Sequence, residues 1–132
     1  MAQTVILLVD DEKTVLDSLC AQLARLYPDD VECESAESAE EAWEVLEALH
    51  AEQARVVVVV SDWLMPGQRG DDFLAQVRAH YPHIGRVMLT GQADVAALER
   101  ARTDAAVHRI LFKPWRPEDL RDAIASSIGA AG

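Results

Sequence analysis

The chain has 132 residues, which suits one compact domain and leaves little room for a second. Half of it is hydrophobic and 27% charged, a globular balance that excludes a disordered or fibrous chain. Lys and Arg number 12 against 23 Asp and Glu, a formal charge of −11, so the domain by itself is expected to bind neither nucleic acid nor an anionic membrane.

Met1 to Val9 has no basic segment and meets Asp10 and Asp11 too soon for a signal peptide. No apolar run approaches the length of a membrane span, and the expected compartment is the cytoplasm. The first apolar run is Val5–Val9. A helical stripe follows in Val15, Leu16, Leu19, Leu23 and Leu26. Val31 to Glu34 alternates apolar and polar, as an edge strand would. Ala42, Val45, Leu46 and Leu49 form a second stripe, with Ser38 as N-cap and Glu41 as its capping-box partner. Val56–Val60 is a second unbroken run, rich in β-branched side chains. Phe73, Leu74 and Val77 form a third stripe, ending near Tyr81 and Pro82. Arg86–Leu89 is the next run. Val95, Leu98 and Ala101 form a weaker stripe, Ile110–Phe112 is the last run, and Leu120, Ile124 and Ile128 form a final stripe opened by Pro117. Cys20 and Cys33 have no metal-ligand spacing and read as small core residues of a reduced protein.

Strand and helix thus alternate five times. That predicts an α/β domain, (βα)5, with a doubly wound five-stranded parallel sheet in the flavodoxin-like order 2-1-3-4-5. Residues 1–132 form a single domain in this reading, either complete or cut from a longer protein.

The residues that end the runs carry the chemistry. The first run ends in Asp10-Asp11, the third in Ser61-Asp62, the fourth in Thr90-Gly91 and the fifth in Lys113-Pro114. All fall on the carboxyl rim of one parallel sheet, where such folds bind ligands. Two like charges about 4 Å apart repel by roughly 4 kcal/mol at surface-like dielectric. Either a carboxyl pKa shifts or a hard cation offsets the charge. Mg²⁺ suits an all-oxygen set, and no His or Cys lies at these strand ends to favour zinc. Lys113 suits a phosphate as a point charge, or acts as a plain counter-ion to the acids. Thr90 can donate to a phosphoryl oxygen, or cap a helix before Ala93. His80 and His83 flank a loop proline and read as solvated or capping residues. Pro114 is a candidate for a cis bond.

Val-Asp-Asp-Glu at 9–12, Ser-Asp-Trp-Leu-Met-Pro-Gly at 61–67, Leu-Thr-Gly at 89–91 and Lys-Pro-Trp at 113–115 together resemble the response-regulator receiver domain of bacterial two-component systems. The resemblance covers nearly the whole chain. It implies a phosphorylation switch and not an enzyme acting on an external substrate. Asp62 would be the phosphoacceptor. Mg²⁺, with Mn²⁺ as a substitute, would be held by Asp10, Asp11, Asp62 and the backbone carbonyl of Leu64. Thr90, Gly91, Trp63 and Lys113 would surround the phosphoryl group. The donor would be a phosphohistidine on a sensor histidine kinase or a phosphotransfer protein. Leu16 to Arg25 would face that donor. The fourth helix, fifth strand and fifth helix would face an output domain, a partner protein or a second copy in a homodimer. The stretch from His108 to Trp115 is similar to receivers joined to HD-GYP phosphodiesterases and to some hybrid kinases.

Two positions depart from the usual family pattern. Ile110 stands where many receivers carry an aromatic side chain that rotates on activation. Leu64, two after the acceptor, is apolar where a polar residue is common, so the lifetime of the phosphoryl group does not carry over. Two other readings are weighed. Asp10-Asp11-Glu12-Lys13-Thr14 resembles the DxDxT motif of haloacid-dehalogenase-type phosphatases, though Asp62 would then have no role. A pure interaction module would not need Asp10, Asp11, Asp62, Thr90 and Lys113 as a set.

Overall fold

The computed structural model of the protein describes residues 4–91 and 95–131. In chain order these form β1 (Thr4–Val9), α1 (Lys13–Leu26), β2 (Glu32–Ala36), α2 (Ala39–Ala51), β3 (Arg55–Asp62), α3 (Gly70–His80), β4 (Gly85–Thr90), α4 (Val95–Thr103), β5 (Arg109–Phe112) and α5 (Pro117–Ala131). The strands pair in parallel in the order β2-β1-β3-β4-β5, as expected from the alternation.

Strand periodicity explains the two cores. Val5, Leu7 and Val9 point to one face of β1 and pack with residues of α2, α3 and the end of α4. Ile6 and Leu8 point to the other and pack with Leu16, Leu19 and Leu23 of α1 and Leu120 and Ile124 of α5. β3 lies between β1 and β4 and carries helices on both faces, so Val56 to Val60 are all buried. Each such side chain contributes roughly 1.5–3 kcal/mol when fully buried.

Several expectations needed correction. The second strand runs Glu32–Ala36 and not Val31–Glu34, because its ladder with β1 pairs Val5 with Glu32 and Val9 with Ala36. Ile110–Phe112 is not buried on both faces as its apolar run suggested: β5, at the edge that the expected order gives it, leaves Phe112 48% exposed. Val95 and Ile128 lie at the ends of their stripes and are exposed. The helix α5 has 15 residues, about 22 Å of length, and outlasts the four-residue strand beside it. Cys20 and Cys33 are free and half-buried at the fringe of the core, since β2 is an edge strand. Arg86, read within an apolar run, is buried and donates to the carbonyls of Ala105 (2.7 Å) and Ile84 (2.8 Å).

Local signals held at helix ends. Ser38 Oγ accepts from Glu41 N at 3.1 Å. The return bond of Glu41 goes to Glu37 N at 3.2 Å, one residue before the cap. α3 ends at His80, whose Nδ1 lies 3.0 Å from the Gln76 carbonyl, a capping contact as expected. The proposed cap of Ala93 by Thr90 lies outside the described residues. The Lys113–Pro114 bond is cis. No helix among the described residues is long and apolar enough to cross a membrane.

Candidate functional site at the carboxyl rim

The strand order makes β1 and β3 neighbours, and their parallel register pairs Val9 with Ser61. Asp10 and Asp62 therefore emerge side by side at the point where the chain winds to opposite faces. β3 pairs with β4, placing Asp62 across from Leu89, and Trp63 N donates to Leu89 O at 2.9 Å. Thr90 closes β4 and is buried; its carbonyl accepts from Lys113 N at 2.8 Å. Four separate strand ends thus converge on one cleft of about 320 Å³, lined by Asp11, Glu12, Asp62, Trp63, Leu64, Thr90, Gly91 and Lys113.

The charges in the cleft are linked through one ammonium. Lys113 Nζ lies 2.9 Å from Asp62 Oδ1 and 3.1 Å from Asp10 Oδ2. Asp10 is fully buried, and its other oxygen accepts from Glu12 N at 2.8 Å. Asp11 is exposed at the mouth, yet one carboxylate oxygen from each of Asp10, Asp11 and Asp62 falls within 4.8 Å of the others. Burial pushes the Asp62 carboxyl above its ordinary value; the hydrogen bond from Lys113 opposes this, and the charges of Asp10 and Asp11 add to it. Burial alone would lower Lys113, but hydrogen bonds and charge from Asp62, then Asp10, hold its ammonium above the usual lysine value.

The donor set is all oxygen and half-enclosed. Three carboxylates meet one ammonium, so the cluster carries two uncompensated negative charges. A hard divalent cation fits that deficit and that chemistry. Among the described residues no second group of this kind was found, and His80 and His83 belong to none. Leu64 is 46% exposed and borders the cleft. Trp63 is buried, and its indole Nε1 has no hydrogen-bond partner among the described residues. Trp43 packs edge-on to Phe73, with ring centroids 5.5 Å apart, and Trp115 Nε1 donates to Gln22 Oε1 at 2.7 Å. Both pack amphipathically.

Two neighbours of the site were not legible beforehand. Glu12 opens α1 and lines the cleft, a position that only its adjacency to Asp11 could have suggested. Gly70 opens α3 directly beneath the acceptor: its N donates to Trp63 O at 2.6 Å, and a Cβ there would overlap the Asp62 carbonyl oxygen. Gly70→Ala is expected to destabilise the fold by about 3 kcal/mol, because backbone and not a flexible side chain must move. A urea melt with an unchanged midpoint would contradict that close approach.

Comparison with known proteins places the chain in a family. The response regulator receiver domain model matches residues 6–125. The chemotaxis protein CheY1 of Helicobacter pylori strain J99 is 32% identical over 127 residues, which cover 94% of this chain and 96% of that protein. The hydrogenase transcriptional regulatory protein HoxA of Cupriavidus necator is 32% identical over 77 residues, covering 58% of this chain but only 16% of HoxA. Among solved structures, the signal receiver domain of an HD domain-containing protein from Pseudomonas fluorescens Pf-5 superposes with a TM-score of 0.86 at 27% identity, covering 99% of this chain and 90% of that one. Fold, rim cluster and family match together establish that the chain belongs to the response regulator receiver domain family of two-component signalling.

Proposed function

We propose that the domain is a phosphorylation switch in which Asp62 accepts a phosphoryl group from a phosphohistidine. The observation that carries this reading is the Lys113 ammonium, held 2.9 Å from Asp62 and 3.1 Å from Asp10 in a cleft open to solvent. An Asp62 oxygen attacks phosphorus in line as the bond to the donor imidazole nitrogen breaks. The histidine leaves and the aspartate becomes an acyl phosphate. Lys113 exchanges one carboxylate partner for a phosphoryl oxygen. Thr90 donates its hydroxyl to a second oxygen, and the backbone at Gly91 and Trp63 lines the same side. Asp10, Asp11, Asp62 and the Leu64 carbonyl would hold Mg²⁺ or Mn²⁺, which supplies charge neutralisation to the phosphoryl oxygens. Product formation adds nearly two negative charges beside Thr90, and the segment from Thr90 through α4 answers by changing position.

The donor is a sensor histidine kinase or a phosphotransfer protein, docking on α1 over Leu16 to Arg25. Output passes through the α4, β5 and α5 face to an output domain, a partner protein or a second copy. The exposed Phe112 and Ile128 support that assignment. An output domain of HD type is supported by the Lys-Pro-Trp segment and by the Pseudomonas fluorescens relative.

Intact mass after incubation with Mg²⁺ and acetyl phosphate tests the reading. Wild type should gain one phosphoryl group and Asp62→Asn none. An unmodified wild type that also leaves Trp63 fluorescence unchanged with beryllofluoride would overturn it, and turnover of an external phosphomonoester would then separate a phosphatase from an interaction module.

A further inference from the structure

α4 is held unevenly. Its C-terminal end is fastened by two arginines from elsewhere in the fold. Arg78 Nη1 donates to the carbonyls of Thr103 (3.2 Å) and Asp104 (3.3 Å). Arg86 Nε donates to Ala105 O at 2.7 Å, and Nη2 to Ala106 O at 3.3 Å. Of the side chains described along the helix, Ala101 is buried, Leu98 only partly, and Val95 is 69% exposed. An element with so little apolar burial is cheap to displace. Fixed at one end, it can swing only at the other, the end that follows Thr90.

A charged contact among the described residues opposes that swing. Arg100 Nε donates to Asp71 Oδ2 at 3.0 Å, and the Asp71 side chain is only 1% exposed. The second Asp71 oxygen lies 3.4 Å from Arg69 Nε, an ion pair without an aligned hydrogen bond. Asp71 follows Gly70, whose backbone abuts that of Asp62. The pair therefore joins the floor of the acceptor to the middle of α4.

We infer that Asp71 and Arg100 form a latch that holds α4 in the position described here and sets how readily phosphoryl binding at Asp62 displaces it. The inference rests on the phosphorylation-switch reading and deepens it. Asp71 and Arg100 are positioning residues, since neither lines the cleft. Releasing the latch removes an interaction made only in the unswitched state, so ligands of the switched state bind more tightly.

The test is calorimetric binding of beryllofluoride with Mg²⁺ to wild type, Asp71→Asn, Arg100→Gln and the double variant. Each single variant should bind about three- to tenfold more tightly, the range for one partly exposed charged hydrogen bond, and the double variant no more tightly than either. Because Asp71 is buried, Arg100→Gln also risks leaving a charge uncompensated. Asp71→Leu with Arg100→Met replaces the pair by apolar groups of similar size and should show the same gain. Urea melts run alongside separate the two roles, since a merely structural pair would move the melt and leave beryllofluoride affinity alone. Wild-type or weaker affinity in the folded variants overturns the latch. Failure of wild type itself to bind beryllofluoride overturns the phosphorylation-switch reading instead.

Discussion

Lys113→Ala is expected to be the most damaging single substitution at the rim. It leaves Asp10, Asp11 and Asp62 together with no ammonium between them. Asp10 is fully buried and the Lys113 side chain only 22% exposed, so the pair is closer to a buried than to a surface ion pair. Breaking such a pair costs about 3 kcal/mol at neutral pH. The sign with pH follows from the direction of the shift. The ammonium is held above its ordinary value of 10.5, so its contribution is fully present below that value and is lost as pH rises through the folded one. The difference between wild type and Lys113→Ala should therefore persist through neutral pH and shrink in strong base. Phosphorylation by acetyl phosphate should slow about a hundredfold, the usual cost of removing one charged donor from a developing oxyanion. Thermal melts across pH, with intact-mass time courses, measure both effects. A variant as stable and as readily phosphorylated as wild type would mean that Lys113 is a spectator.

Asp62→Asn should do the opposite to stability while abolishing phosphorylation. The folded carboxyl is pushed up, chiefly by burial, with the charges of Asp10 and Asp11 adding to it. A carboxyl that binds its proton more tightly in the folded state destabilises the fold once it ionises. Wild type should thus lose stability as pH rises from the ordinary carboxylate value of 3.8 through the folded one, and Asp62→Asn should not. The variant's advantage is absent in strong acid and complete at neutral pH. Mg²⁺ should stabilise wild type, as the Asn substitution does: at a hundred times its Kd it adds about 2.7 kcal/mol. Asp62→Asn, lacking one anionic ligand, should gain less. Melting curves of both proteins at pH 3 and pH 7, with and without Mg²⁺, check these differences. A less stable Asn variant at pH 7 would show that the Lys113 contact outweighs the burial of Asp62.

The order of elements and the polar residue at each strand end were legible because both are local. Strand burial on two faces leaves runs such as Val56–Val60, and a buried run must end in polar residues where the chain leaves the sheet. Asp10, Asp62, Thr90 and Lys113 could be listed from that alone. Resemblance to a family added the roles proposed for them, and the chain matches that family over residues 6–125. Edges were harder to read. Phe112 sits in an apolar run like the others; the expected strand order put β5 at an edge, but only the packing shows that this side chain is left 48% exposed. Gly70 and the Asp71–Arg100 pair gave no sequence signal, because each depends on residues 7 to 29 positions away being folded into contact.

The sequence by itself determined the βα alternation, the two faces of each strand and the identity of the rim residues, since hydrophobic period and strand-end polarity act over a few residues. Only the tertiary structure decided which rim residues touch. Lys113 and Asp10 are 103 residues apart in the chain and 3.1 Å apart in space. That contact exists because parallel pairing carries β1, β3, β4 and β5 to one edge, and no local pattern encodes a distance set by the packing of the whole sheet.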